Sequence, residues 1–62
     1  MIVKVYAVNQ DTGEEVFQWH SRLSDFEFST AAEYREIRAE IEKSGRAWIG
    51  GGAAQLFLAM RA

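Results

Sequence analysis

The tripeptide Asp11-Thr12-Gly13 is the first feature of this sequence whose residue types could do chemistry. Retroviral-type aspartic proteases need two such aspartates, because the two carboxyl groups share one proton. This chain carries one copy, flanked by polar residues where that site has apolar ones. Glycine accepts positive φ at little cost, so the tripeptide predicts a turn between two strands rather than an active site.

His20 and the run Gly50-Gly51-Gly52 are the next candidates. A catalytic histidine needs a residue that orients it and a shaped cleft, and neither is indicated around His20. A phosphate-binding loop needs a lysine or a particular glycine spacing, and this run has neither. We therefore expect His20 at the surface or at a sheet edge. The glycines predict a hairpin or bulge, with close backbone approach to a partner as the alternative.

The chain contains no cysteine and one histidine. This excludes disulfides, thiolate metal sites and cysteine nucleophiles. A zinc site would require several carboxylates to converge on the single histidine. With no nucleophile–base pair and no metal-ligand set, we expect neither enzymatic activity nor a metal or other cofactor.

The acidic side chains are the most informative group of candidate functional residues in the sequence. Around a helix, Glu33, Glu36 and Glu40 share one side next to the apolar stripe, and two further acids precede the helix. One interpretation is a solvated face whose N-terminal acids suit the helix dipole. The other is an anionic surface for a basic site on another protein, with a tryptophan as aromatic anchor. The hypothesised partner-binding residues are Asp25, Glu27, Glu33, Glu36, Glu40 and Trp48.

Aromatic residues offer a different contact surface. If a helix covers one face of the sheet, some of them lie on the open face, where nucleic-acid bases could stack. Nine acidic and seven basic residues give a net charge of −2. Nucleic-acid binders usually carry a basic excess, so direct nucleic-acid binding is the less favoured alternative. The residues in question are Phe17, Trp19, Trp48 and Phe57.

Three segments precede the helix. Residues 2–8 are apolar on both faces, which suits a central strand. Residues 16–20 follow the polar turn as a second strand, with Phe17 and Trp19 predicted on the same face. Residues 25–28 alternate acidic and aromatic, which predicts a short extended segment with its two phenylalanines toward the core.

The start of the helix is the clearest local signal. Thr30, followed three residues later by Glu33, forms a capping box. The helix should span residues 30–44 and end at Gly45, which readily adopts the left-handed conformation of a C-terminal cap. The apolar stripe predicted to pack on the sheet consists of Tyr34, Ile37 and Ile41.

The segments after the helix complete the sheet. Residues 46–49 begin a third strand that the glycines at 50–52 are expected to break, whereas residues 53–62 fit either a strand or a helix. A strand is preferred, because a lone ten-residue helix would be marginal. The chain is therefore predicted to be one α+β domain over residues 1–62, in the order β-β-α-β-β, with one helix on one face of an antiparallel sheet.

Composition also bears on location. No stretch approaches the ~20 apolar residues of a membrane span, and the N-terminal segment lacks the apolar run of a signal peptide. We expect a cytoplasmic protein with no membrane contact. With 48% hydrophobic residues in 62, packing alone should stabilise it, as a monomer or a weak homodimer.

This profile of a short, cysteine-free, mildly acidic α/β chain without a catalytic motif resembles the small phage-encoded anti-CRISPR proteins. The resemblance lies in the overall length, composition and predicted fold class of the chain, and no segment of it carries a sequence motif of these proteins. It implies stoichiometric inhibition of a basic, nucleic-acid-handling subunit of a host CRISPR effector, in the host cytoplasm, with acidic side chains standing in for phosphates. The alternatives are a single-stranded nucleic-acid-binding module and a self-associating structural phage subunit.

Overall fold

The computed structural model describes residues 1–51 and 55–62 of the chain. Four strands form one antiparallel sheet in the spatial order β2-β1-β4-β3. The predicted α+β class and the order β-β-α-β-β are confirmed, with one short 3₁₀ helix added after the second strand. The elements are β1 Ile2–Asn9, β2 Glu15–Arg22, the 3₁₀ helix Leu23–Asp25, α1 Ala31–Ser44, β3 Arg46–Gly51 and β4 Gln55–Arg61.

The core lies between α1 and one face of the sheet. Val5 of the central strand β1 and Ile41 of α1 are fully buried in it. Ile37 and Tyr34 pack against the same cluster, which confirms the predicted apolar stripe of the helix. Burying such aliphatic side chains contributes about 1.5–3 kcal/mol each. The helix is therefore held on the sheet mainly by this stripe.

Both ends of α1 are capped at the predicted residues, and of the two hydrogen bonds of the predicted capping box the described residues show the one to the Thr30 side chain. The Thr30 hydroxyl oxygen accepts a hydrogen bond from the Glu33 backbone N–H at 3.1 Å. Gly45 has φ of 83°, and its N–H donates to the Ile41 carbonyl at 2.8 Å. The Arg61 guanidinium of β4 also donates to the Ile41 carbonyl, at 3.1 Å, and to the Glu42 carbonyl. A side chain of the sheet thus gives a donor to the Glu42 carbonyl, one of the last four of the helix, and a second donor to the Ile41 carbonyl.

The predicted turn at residues 11–13 is confirmed. The Asn9 side-chain oxygen accepts hydrogen bonds from the N–H groups of Asp11 and Thr12, at 2.8 and 3.2 Å. Gly13 has φ of 74°, and its N–H donates to the Asn9 carbonyl at 2.7 Å. Asp11 therefore belongs to the connection between β1 and β2.

A bulge in β2 shows that the face predicted for Phe17 and Trp19 was wrong. Trp19 pairs with Val5 and Phe17 with Tyr6, so Gln18 is an extra residue between them. Directly paired residues of an antiparallel sheet share a face. Trp19 therefore lies on the helix side and Phe17 on the opposite side, because the extra residue shifts the two-residue alternation of the strand.

The predicted extended segment over residues 25–28 was wrong at its first residue. Asp25 closes the 3₁₀ helix, because the Phe26 N–H donates to the Leu23 carbonyl at 3.3 Å. Leu23 is fully buried and turns the chain toward α1. Phe26 and Phe28 pack against the core, as the alternation predicted.

The strand predicted at residues 53–62 is confirmed over Gln55–Arg61. Gly50 and Gly51 belong to β3, and the register shifts by one residue between Trp48 and Gly50. The extra residue is Ile49, so the bulge lies immediately before the glycine run, and the interruption of the strand predicted at Gly50 and Gly51 was wrong. Gly52 and residues 53 and 54 lie outside the described residues.

Candidate partner-binding groove and open sheet face

A groove of about 470 Å³ runs between the helix α1 and the edge strand β3. Because β3 is the last strand of the sheet, the groove takes residues from both sheet faces. Ala47 lies on the helix side with Ala59, whereas Trp48 is paired with Leu58 on the other side. The lining consists of Glu36, Ile37, Glu40, Ser44, Arg46, Ala47, Trp48 and Leu58.

Three of the six hypothesised partner-binding residues meet at this groove. Glu36 and Glu40 are one turn apart on α1, and Trp48 lines the same groove from the edge strand β3. Trp48 is 51% exposed although it is a large apolar side chain. The groove therefore combines an available aromatic ring with two carboxylates.

Neither carboxylate of the groove forms an ion pair with a side chain of the described residues. Glu40 accepts a hydrogen bond from the Ser44 hydroxyl at 2.8 Å, which is a neutral contact. Arg46 also lines the groove, but its guanidinium is bonded to Glu15 at 2.9 Å. The groove thus presents net negative charge beside an apolar floor.

The other three hypothesised residues lie elsewhere. Asp25 ends the 3₁₀ helix and Glu27 follows it, and both are exposed on the connection to α1. Glu33 is half-buried in the first turn of α1, about 10 Å along the axis from Glu40 at 1.5 Å per residue. None of the three lines the groove.

The floor of the groove was not predicted from the sequence. Leu58 is 1% exposed and Ala47 8% exposed. The alternation over residues 56–61 indicated a strand but did not show that Leu58 would pair with Trp48. The small Ala47 beside Trp48 is the one local signal, because it leaves room between the strand and the helix.

The face of the sheet opposite the helix carries a row of apolar side chains. One residue from each strand contributes, in spatial order Phe17, Tyr6, Leu58 and Trp48. The rings of Phe17 and Tyr6 are 5.7 Å apart in an edge-to-face arrangement. The neighbouring row is more polar and consists of His20, Lys4, Met60 and Arg46. We call this surface the open face.

The open face is concave. The Glu15–Arg46 ion pair joins β2 to β3, the two outermost strands, which are three strand spacings or ~14 Å apart in a flat sheet. A strongly curled sheet brings such corners together. Leu58 and Val8 are buried on this face although α1 lies on the other one, which agrees with the curling.

The aromatic candidates for base stacking are divided between two faces. Trp19 lies 6.3 Å from Phe57 on the helix side, between ring centroids. Phe17 and Trp48 belong to the open face. The four residues therefore do not form one platform, and Trp48 is shared by the open face and the groove.

The side of α1 away from the groove carries an internal ion pair. The Arg38 guanidinium donates to Glu42 at 3.2 Å. The hydrogen bond to Glu42 is the main cause that raises the pKa of Arg38 above its ordinary value, and a hydrogen bond to Tyr34 is the second. This side is a solvated surface on which Arg38 and Glu42 compensate each other's charge.

His20 is exposed on the edge strand β2, as predicted, and its ring lies 5.2 Å from that of Phe17. In the described ranges, no group of three or more metal-ligating side chains is placed to hold an ion. No α-helix there has the length and apolarity needed to cross a membrane.

No protein-family model, curated protein or solved structure matches this chain significantly.

Proposed function

We propose that this protein is a small binding protein that holds a basic segment of another protein in the groove between α1 and β3, as a stoichiometric inhibitor or adaptor. The observation that carries the proposal is the convergence of Glu36, Glu40 and Trp48 on one groove. Lysine and arginine combine a charged head with an apolar stem. Two carboxylates above an apolar floor are complementary to such a side chain.

Trp48 supplies the anchor in this proposal. A cation over an indole ring gains about 0.5–2 kcal/mol, according to how far it is desolvated. Glu36 and Glu40 add charge-assisted hydrogen bonds to the same head group. Clustered unpaired carboxylates also steer a basic partner to the groove, which raises the association rate at low salt.

A DNA-reading surface of a CRISPR effector is the partner we propose within this chemistry. Such a surface presents lysine and arginine to phosphates. Glu36 and Glu40 would occupy those side chains in place of the nucleic acid. The proposal assigns no catalytic step to the chain.

The test is retention of a partner by tagged variants in nuclease-treated bacterial lysate. The groove variant carries Glu36→Lys and Glu40→Lys. The matched control carries Asp11→Lys and Glu14→Lys, both in the exposed turn between β1 and β2. The two variants change the net charge equally, so only the position of the change differs.

We expect the control to retain the same basic protein as the wild type and the groove variant to lose it. Equal retention by both variants would refute the groove as the binding site. Loss of the protein from the wild-type sample on nuclease treatment would show that nucleic acid, rather than the groove, held it.

A second candidate function rests on the open face. Phe17 and Tyr6 expose rings next to Lys4 and His20, an arrangement on which single-stranded bases could stack. Trp48→Ala would weaken both functions, because this residue serves both surfaces. Phe17→Ala separates them: it should reduce binding of a single-stranded oligonucleotide and leave partner retention unchanged.

A further inference from the structure

The strand β2 is the most exposed regular element of the described chain. Seven of its eight residues are exposed and the remaining one is half-buried. Three of the exposed residues are large and apolar: Val16 at 48%, Phe17 at 46% and Trp19 at 46%. An exposed apolar edge strand is a template for pairing with another strand. The outer edge of this strand is therefore available for pairing with another strand.

The order in which β2 residues alternate between the two sheet faces is unchanged when the strand direction is reversed. On the open face, according to the β1 partners, lie Glu15, Phe17, His20 and Arg22. On the helix face lie Val16, Trp19 and Ser21. The bulge residue Gln18 stands at the centre, beside Trp19. Without the bulge, reversing the strand would exchange the two faces, because eight residues in strict alternation are not symmetric.

The charges at the ends of β2 are complementary under the same reversal. Glu15 begins the strand and Arg22 ends it, both on the open face. When a second copy runs antiparallel alongside, Glu15 of one copy lies opposite Arg22 of the other, twice. Arg46 bonds to the Oε2 atom of Glu15, which leaves Oε1 for that contact.

We propose that two copies of this chain associate through antiparallel pairing of their β2 strands about a two-fold axis. Phe17 then lies opposite His20 of the other copy, and Val16 lies opposite Ser21. Such an isologous interface is self-complementary by symmetry. Backbone hydrogen bonds between the strands supply affinity, and the end charges fix the register.

One existing contact must be released for this pairing. The Gln18 side-chain amide donates to the Val16 carbonyl at 3.1 Å and covers part of the strand edge. The contact is exposed and local, so a backbone N–H of the second copy can replace it at small cost.

The pairing would make the protein bivalent. The two four-stranded sheets join into one of eight strands, with the two β3 strands at opposite ends. Both grooves stay open, so the dimer offers two identical binding sites.

The first test is sedimentation equilibrium between about 10 μM and about 1 mM protein, a range that detects a weak dimer. We expect the mass to rise from that of one chain toward that of two. A single-chain mass throughout would overturn the proposal. In the Trp48→Phe variant, Trp19 is the remaining tryptophan, and its fluorescence should shift to the blue over the same range. An unchanged spectrum would count equally against β2.

The second test is a charge exchange. Glu15→Arg places arginine opposite arginine twice, and Arg22→Glu places glutamate opposite glutamate twice. Each variant alone should raise the dimer dissociation constant about tenfold. An equimolar mixture should restore association, because the arginine-bearing copy then faces the glutamate-bearing copy at both ends. A mixture no more associated than its components would overturn the proposal.

This inference does not depend on the groove. Glu36→Lys with Glu40→Lys should abolish partner retention and leave the dimer mass unchanged. Arg22→Glu, which alters no residue that lines the groove or pairs with one, should raise the monomer fraction and leave a groove still able to hold a partner. A dimer that is lost with the groove variant and kept with Arg22→Glu would show that association occurs through α1 and β3 instead.

Discussion

The two edges of the sheet are built differently. On the β3 edge, α1 packs close by, Ala47 is buried, and the helix leaves a groove with two carboxylates. On the β2 edge, the apolar side chains Phe17 and Trp19 are about half exposed and a bulge interrupts the strand. One helix is too narrow to cover four strands, so one edge gains a shaped site and the other keeps its strand available.

The difference indicates how a very small domain can carry two contact surfaces. The covered edge is suited to side-chain recognition, because its helix and strand fix the positions of Glu36, Glu40 and Trp48. The uncovered edge is suited to backbone recognition, because its pairing groups remain accessible. The groove is thus the proposed site for a foreign partner, and β2 the proposed site for a second copy.

The largest expected difference between the edges is in stability. Ile41→Ala removes a fully buried side chain beneath the covered edge, and should lower the free energy of unfolding by about 2–5 kcal/mol. Val16→Ala on the uncovered edge should cost under about 1 kcal/mol. Urea unfolding followed by circular dichroism measures both values. Equal costs would show that the two edges contribute alike to the core.

Arg61 should be the next most sensitive position. Its guanidinium ties β4 to the last carbonyls of α1, and Arg61→Ala should lower the free energy of unfolding by about 1.5 kcal/mol. Arg46→Ala is the control, since its ion pair with Glu15 is partly exposed and such pairs contribute under about 1 kcal/mol. The same urea experiment compares them, and a costlier Arg46→Ala would reverse the proposed roles.

A smaller effect is expected at the start of the helix. Thr30→Ala removes the oxygen that accepts the Glu33 N–H, and should cost about 1 kcal/mol. Ser29→Ala is the neighbouring control and should be close to neutral. Relative to the wild type, Thr30→Ala should accelerate amide hydrogen exchange more in α1 and β3 than in β1 and β2. Uniformly faster exchange would mean that the covered edge does not open separately.

The fold was largely predictable because its strongest signals are local. Thr30 and Gly45 mark the two ends of α1 within a few residues of sequence, and both caps are present in the structure. The apolar character of residues 2–8 correctly indicated a central strand. The connection after β2 was less predictable, because Leu23 turns the chain through a contact with Met1, whose carbonyl accepts its N–H at 3.0 Å.

The site was predictable only in part, because it depends on contacts between distant segments. Helical spacing placed Glu36 and Glu40 on one side of α1, but it did not show that β3 would be an edge strand beside them. The pairing of Leu58 with Trp48 likewise follows from the order of strands in the sheet. The bulge at Gln18 depends on the register with β1, so strict alternation misplaced Trp19.

The most direct test of the groove is a two-dimensional ¹⁵N NMR titration of the labelled protein with an arginine-containing basic peptide. A single-stranded oligonucleotide serves as the second titrant. The account predicts that the peptide shifts the amides of Ile37, Glu40 and Ala47 and the indole N–H of Trp48, and that the groove variant loses these shifts. Peptide-induced shifts confined to Tyr6 and Phe17, or shifts produced by the oligonucleotide alone, would contradict it.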